Sequence, residues 1–377
     1  MAVGLGMSIG TVTTVCAIAP AGGEPVPQPV TRRTTLTFDS AGAVRVGRIP
    51  PHGRAISDFA DLTQPCLPVA RVGRRTLTAA DLVATVVGSV SAEALGASGA
   101  GRRDRPVGAT IAVTHPVVYP AALIADLRAA LAVAGRADAV LVSEPVAAAA
   151  WLSATHGPLP PGLTLVYDLG GSGLTLSLVR VGAGCGPDPI VGAPVRSAEY
   201  GGRAFGAEVA RCAARAVRAG SAPLSDAGMG ALRGAHVRRS LAEVYRCLRL
   251  ADVTMADVDR VLLIGGAARP PEVAAVLAEA LARPVVVAPD PARTVAEGAA
   301  ILARRAAELA RSAEIRQRRA GRAPAARVVR RLVRTAVLVG AVLAAVAMLA
   351  AVPGDCAHTT TGSFGAVLQF DTQTYRT

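Results

Sequence analysis

Lysine and asparagine are missing from the chain altogether. All 40 basic residues are therefore arginine. That excludes chemistry needing a compact ammonium group and makes every cationic side-chain contact a planar guanidinium. Aromatic residues make up only 3%, against 51% hydrophobic residues overall, so the core must be built from alanine, valine and leucine. Six cysteines occur, at 16, 66, 185, 212, 247 and 356, without CxxC or Cys/His spacing. No metal site is expected from them, and the first five read as small buried apolar residues. The apolar first twenty residues lack a basic flank, and their Gly and Thr pattern reads as strand and turn rather than signal peptide.

What is abundant is arginine, and its placement matters more than its amount. The formal charge is +13, but residues 304–334 hold eleven Arg against Glu308 and Glu314. That segment alone carries +9, leaving +4 elsewhere. A nucleic-acid-binding face would spread its basic residues over a domain surface, so no nucleic-acid partner is expected.

The arginine segment runs into TAVLVGAVLAAVAMLAAV, residues 335–352, which carries no charge. At about 1.5 Å per residue this helix would span roughly 27 Å, close to the hydrocarbon thickness of a bilayer. The sequence thus predicts one C-terminal transmembrane helix in contact with the lipid bilayer. Arg327, Arg330, Arg331 and Arg334 on one side, with Asp355 beyond it, place residues 1–334 in the cytoplasm and the tail 353–377 outside. Cys356 is the only cysteine on that outer side, and an odd cysteine in an oxidising compartment can pair two chains into a homodimer.

At 377 residues the chain has room for two domains or one two-lobed one. Strands alternate with helices along it, with strand hairpins at 1–19, 34–48 and 165–181, which indicates an α/β architecture. Helices are expected over 77–95, 119–135, 146–157, 203–220 and 231–252, then after the Gly265-Gly266 turn and again at the end of 284–309. The stretch LVYDLGGSGLTLSLVRV, residues 165–181, is the most informative. A plain hairpin needs two turn residues. This one spends Gly170, Gly171, Ser172 and Gly173 after an acid, Asp168. Positions without Cβ let backbone N–H groups approach a phosphate.

Five segments in series carry a family resemblance: MSIGTVTTVCAI, SEPVAAAAW, VYDLGGSGLTLSL, EYGGRAFGAEV, and VLLIGGAARPPEV followed by PDPARTVAEGAA. Together, over residues 1–306, they resemble the nucleotide-binding domain of heat-shock-70 chaperones, within the actin, sugar-kinase and heat-shock-70 superfold. The resemblance implies a two-lobed actin-like ATPase fold of tandem ribonuclease-H-like lobes, 1–155 and 156–306. It also implies ATP or ADP with Mg²⁺ in the cleft between them. By position it assigns phosphate contacts to Gly10, Thr11, Gly170, Gly171, Gly201 and Gly202. Gly265 and Gly266 would approach the ribose and α-phosphate, and Arg269 would stack on the adenine.

The catalytic positions depart from that pattern. Ser8 stands where the family has a metal-orienting acid, and the family's water-positioning lysine has no counterpart; the nearest position in SDFADL is Ala60. Gly173, Thr175 and Ala267 replace a threonine, an acid and a serine. Asp168 and Glu144 remain, to hold Mg²⁺ through water or, equally, to cap backbone amides. Phosphoryl transfer depends on such positioning and charge neutralisation, so hydrolysis is expected to be slow or absent. About fifty residues between EYGGRAFGAEV and VLLIGG leave the outer β-rich part of the second lobe reduced. No client-binding domain follows; the linker 307–334, the helix 335–352 and the tail 353–377 take its place. The expected role is a nucleotide-dependent switch or chaperone-like partner at the membrane, acting on an unidentified protein there. The rivals are an active chaperone-type ATPase, an actin-like membrane scaffold and, with no acid suited to a sugar hydroxyl, a sugar kinase.

Overall fold

The computed structural model describes residues 3–317 except 23, 40–42, 50–54, 65–68, 73–74, 98–108, 187, 221 and 223. Contacts divide the chain into a unit Met1–Ser312 and a second, Ala313–Thr377, of which only 313–317 is described.

In chain order the first half contains β1 (Val3–Ile9), β2 (Thr13–Ala19), β3 (Val30–Arg33), β4 (Leu36–Phe38), β5 (Val44–Val46), β6 (Ala70–Val72), β7 (Arg75–Leu77), α1 (Ala79–Ala97), β8 (Ala109–His115), α2 (Ala121–Val133) and β9 (Val140–Ser143). Then come α3 (Glu144–His156), β10 (Gly162–Leu169), β11 (Leu174–Val181), β12 (Ile190–Ser197), α4 (Gly202–Arg218), α5 (Asp226–Leu250), β13 (Arg260–Ile264), α6 (Pro271–Leu281) and β14 (Val285–Val287). A last helix, α7, covers residues 294–317.

Two five-stranded sheets result, ordered β3-β2-β1-β8-β9 and β12-β11-β10-β13-β14. Each has three antiparallel strands followed by two parallel ones. This mixed α/β arrangement is compatible with the expected actin-like fold. Among the described residues no strand lies between β12 and β13, where α4 and α5 fill the interval.

Strand alternation decides which face of each sheet is covered. In the first sheet, Leu5, Met7, Cys16 and Ile18 pack with Leu82, Val86, Val87 and Val90 of α1 and Leu127 and Leu131 of α2. Burying each such side chain contributes roughly 1.5–3 kcal/mol before chain entropy is counted. Thr78 starts α1: its N–H and hydroxyl donate to Asp81 Oδ2 at 2.9 and 2.8 Å, and its Oγ1 accepts from the Asp81 N–H, a reciprocal cap. In the second sheet, Leu165, Tyr167, Leu174, Leu176 and Leu178 pack with Val237, Val244 and Leu248 of α5 and Val273 and Leu277 of α6.

The other faces meet at the centre, where two helices are exchanged. α3 follows the first sheet, yet its Ala148, Trp151 and Leu152 cluster with Val166, Val179 and Leu262 of the second. α7 follows the second sheet, yet its Ala296 and Ala300 pack on Val15 and Ala17 of the first. Glycines permit this closeness: a Cβ on Gly298 would sit 1.8 Å from Ala147 O, and one on Gly6 2.1 Å from Ala296 O.

One sequence expectation changes. Glu144 already belongs to α3, whereas the sequence places the helix start after Pro145. The arginine-rich segment begins as helix, since α7 continues to residue 317; the rest of the linker, 318–334, lies outside the described residues. So do the expected transmembrane helix 335–352 and Cys356. Among the described residues one helical stretch, Ala79–Gly96, is long and apolar enough to cross a membrane, but half of it is buried inside the protein. It belongs to α1, whose Leu82, Val86, Val87 and Val90 have no exposed surface, so the core accounts for its apolarity.

Candidate functional site

The β1–β2 and β10–β11 hairpins end in tips of the same construction. Gly10 N–H donates to Thr13 O at 3.0 Å, and Gly170 N–H to Gly173 O at 2.9 Å. Each bond closes a turn around two central residues, Thr11-Val12 and Gly171-Ser172. The tips face each other closely: a Cβ on Gly171 would come within 2.6 Å of Val12 Cγ2 and 3.1 Å of Thr11 Oγ1. Between and behind them lies a cleft of about 470 Å³, within the usual range for a small-molecule site.

The structure brings most of the sequence-predicted residues to this cleft. Gly10, Thr11, Glu144, Asp168, Gly170, Gly171, Gly202, Gly265, Gly266 and Arg269 all line it. Gly201 is buried below the wall, its φ of +121° placing the start of α4 against the second tip. The backbone donors are distributed differently from the sequence expectation. The amides of Gly10 and Gly170 close the turns, and Gly202 and Arg203 donate to Gly170 O and Gly171 O at 2.9 Å each. Among the described residues nothing accepts from the N–H groups of Thr11, Val12, Gly171 and Ser172. Those four donors, two from each tip, are free for an anion.

The register of the second sheet builds the charged floor. Asp168 pairs with Thr175 and Thr175 with Arg196, so the three stand side by side across β10, β11 and β12. Gly265, at φ +97°, leaves the room that Asp168 uses, since a Cβ there would lie 2.6 Å from its Oδ1. Glu144 enters the same cleft from the first turn of α3. Burial pushes the Glu144 carboxyl well above its ordinary value, and the Asp168 charge adds to the effect. Burial likewise raises Asp168, with Arg196 pulling the other way. Among the described residues no backbone amide caps either carboxylate, which leaves both oxygen pairs available to a cation. No three His, Cys, Asp or Glu of the described residues could hold a metal by themselves. A metal here would need ligand oxygens and water as well.

Arg269 is held in the wall by a two-pronged contact with Asp290, Nε to Oδ1 at 2.9 Å and Nη2 to Oδ2 at 3.3 Å. Its Nη1 lies within 3.9 Å of where a Gly266 Cβ would be. A guanidinium fixed in plane beside a backbone without side chain is a shelf for a flat ring. Asp290 is held below the ordinary carboxylate range: burial opposes this, and the Arg269 hydrogen bond and charge outweigh it.

Two residues of the floor are missed by the sequence reading. Arg196 donates through Nη2 to Asp61 Oδ2 at 2.5 Å and to Ser172 Oγ at 3.2 Å. Asp61, next to Ala60 in SDFADL, is almost fully buried and also accepts from Thr63 and Gln64. Burial would raise its carboxyl, but the bonds from Thr63, the Arg196 charge and Gln64 hold it below the ordinary range. The only signal in the sequence is a lone arginine in PVRSAEYGG, and it is visible only once β12 is paired.

The model of the Hsp70 protein family matches residues 212–307, about a quarter of the chain. The matched stretch spans α5, β13, Gly265-Gly266, Arg269, α6 and β14, and it stops short of both hairpin tips. It supports a nucleotide-binding domain of the Hsp70 type. No curated protein matches the chain.

Proposed function

We propose that the protein binds ATP or ADP with Mg²⁺ in the cleft and acts as a nucleotide-dependent switch at a membrane, with little or no turnover. The observation that carries this reading is the pair of facing tips, with four unspent amides in front of two uncapped carboxylates. The phosphates would lie on the N–H groups of Thr11, Val12, Gly171 and Ser172, and the base on Arg269. Asp168 and Glu144 would hold the metal's water shell. Bound Mg²⁺ neutralises phosphate charge; everything else is positioning by this chain.

Turnover is proposed to be slow because Ser8 offers no carboxylate and no lysine exists to orient water. A two-part fold whose ligand bridges both parts can still report nucleotide to a partner by shifting its open and closed populations. The helix 335–352 would anchor the body on the cytoplasmic side, and Cys356 would be free to join two chains outside. Calorimetric titration of the full chain in detergent with ATP and ADP, with and without Mg²⁺, tests the reading. Saturable, Mg²⁺-dependent binding is expected, and no heat of binding at millimolar nucleotide would dismiss it. A reporter active only outside the cytoplasm, fused after Thr377, should be active; silence there would reverse the topology.

A further inference from the structure

We infer that Arg196 is the residue that tells a nucleoside triphosphate from a diphosphate, and that Asp61 is where it rests when no terminal phosphate is present. This rests on the nucleotide reading above and adds to it a specificity-determining cation, supplied by β12 of the second sheet.

Three observations lead there. First, position: Arg196 stands in the row Asp168, Thr175, Arg196, and its Nη2 reaches Ser172 Oγ at 3.2 Å. Ser172 is one of the two central residues of the second tip, so the guanidinium already sits beside a residue whose amide would face a phosphate. Among the described residues Arg196 is the cation of this floor; Arg203 at the rim is turned to Asp58, and Arg269 lies at the other end on Asp290.

Second, the contact it now makes spans the cleft. Asp61 lies in the loop between β5 and β6, whose Phe59 and Leu62 pack into the core of the first sheet, while Arg196 is on the second sheet. Asp61 is fixed from its own side. Thr63 Oγ1 donates to it at 2.6 Å and Gln64 Nε2 at 3.1 Å. The backbone around it is tied to Tyr119, whose hydroxyl accepts from Leu62 N–H and donates to Ala60 O. Asp61 therefore keeps its partners when Arg196 leaves, and the arginine is the part free to move. Its side chain retains 24% exposure, against 5% for Asp61.

Third, charge. Asp61, Glu144 and Asp168 surround one arginine; even with the Glu144 proton held by burial, Asp61 and Asp168 outnumber it, and a bare polyphosphate would be repelled. A guanidinium that exchanges a carboxylate for a terminal phosphate keeps a charge-assisted, two-pronged partner and removes the repulsion at the point where the third phosphate must lie. A diphosphate ends short of that point and leaves the Arg196–Asp61 pair in place.

The test compares ATP and ADP affinity, with Mg²⁺, in the full-length wild type, Arg196→Gln and Asp61→Asn. Losing a charge-assisted bond should weaken ATP binding by Arg196→Gln roughly tenfold or more while ADP changes less than about twofold. Asp61→Asn weakens the resting place and should move ATP affinity the opposite way, upward by a few fold, again sparing ADP. Equal losses for ATP and ADP in Arg196→Gln, or a loss of ATP affinity in both variants, would mean that the pair is only a clamp and would overturn the inference. Wild-type protein that binds both nucleotides with Arg196→Gln unchanged would sink the inference alone. Wild-type protein that binds neither would remove the nucleotide reading and the inference with it.

Discussion

The two hairpins that face the cleft have the same topology, the same turn-closing bond and the same place in their sheets. Their side chains differ. Two residues before the closing glycine, the second hairpin has Asp168 and the first has Ser8. At the tips, Gly171-Ser172 stands opposite Thr11-Val12. On the third strand, the second sheet carries Arg196 across from Thr175, while the first offers Thr31 beside Val15. The backbone cradle is thus duplicated, whereas most of the charge has gathered in one half. Backbone geometry and catalytic side chains respond to different pressures: a turn needs only small residues and a register, while phosphoryl transfer needs several charges in place at once.

The largest effect is expected where the two halves are held together. Gly298→Val would drive a branched side chain into the Ala147 carbonyl, 1.8 Å from the new Cβ. Overpacking against backbone with no flexible neighbour should cost more than about 4 kcal/mol, read as loss of cooperative melting. Gly22→Val, with nothing within 4 Å of its Cβ, is the control that should melt as wild type does. Equal melting of the two would show that the central helix contact is looser than described.

Next comes the contact between the tips. In Gly171→Val the new Cβ would lie 2.6 Å from Val12 Cγ2, wedging the second tip off the first. Nucleotide affinity should fall at least about a hundredfold with the far-ultraviolet spectrum unchanged. Val12→Ala in the same background relieves part of the clash and should recover part of the binding. No recovery would mean that the tips do not act as a pair.

A smaller effect sharpens the contrast in buried charge. Glu144 is raised above its ordinary value, so the folded state holds its proton more tightly than the unfolded chain does. The sign follows from linkage: that stability is fully present below the ordinary carboxylate range and is lost as pH rises through the raised value. Glu144→Gln cannot deprotonate, so it should melt like the wild type near pH 4 and about 2–6 °C higher at pH 9. A difference that stays constant with pH would remove burial of Glu144 as the cause.

These contrasts also show which features the sequence makes visible. The hairpins at 1–19 and 165–181 follow from alternation around glycine turns, and the helices α1, α5 and α6 from apolar spacing. β12 is hidden because Gly192 and Pro194 interrupt its alternation and because pairing partners 20 residues away are not local. Arg196 is hidden with it, since one arginine in a chain rich in them carries no signal until Thr175 becomes its neighbour. Asp61 is overlooked for a related reason: alignment against a lysine position lands on Ala60, and only folding reveals that the next residue is the buried one. Val12 is overlooked because an apolar side chain at a phosphate turn has meaning only once Gly171 stands opposite. The amides are the subtlest case. Glycine marks where a phosphate loop lies, but hydrogen bonding within the turn decides which N–H groups remain, and those belong to the central residues rather than to Gly10 and Gly170.

The account rests most heavily on binding having outlived chemistry, with Asp168 serving the metal. Single-turnover hydrolysis followed beside calorimetric titration, in wild type and Asp168→Asn, tests this most directly. The expected result is saturable ATP binding in both proteins, a Mg²⁺ dependence that weakens several fold in Asp168→Asn, and hydrolysis near background in each. Brisk wild-type hydrolysis that disappears in Asp168→Asn would contradict it, and would show that one half of the cleft suffices for a working enzyme.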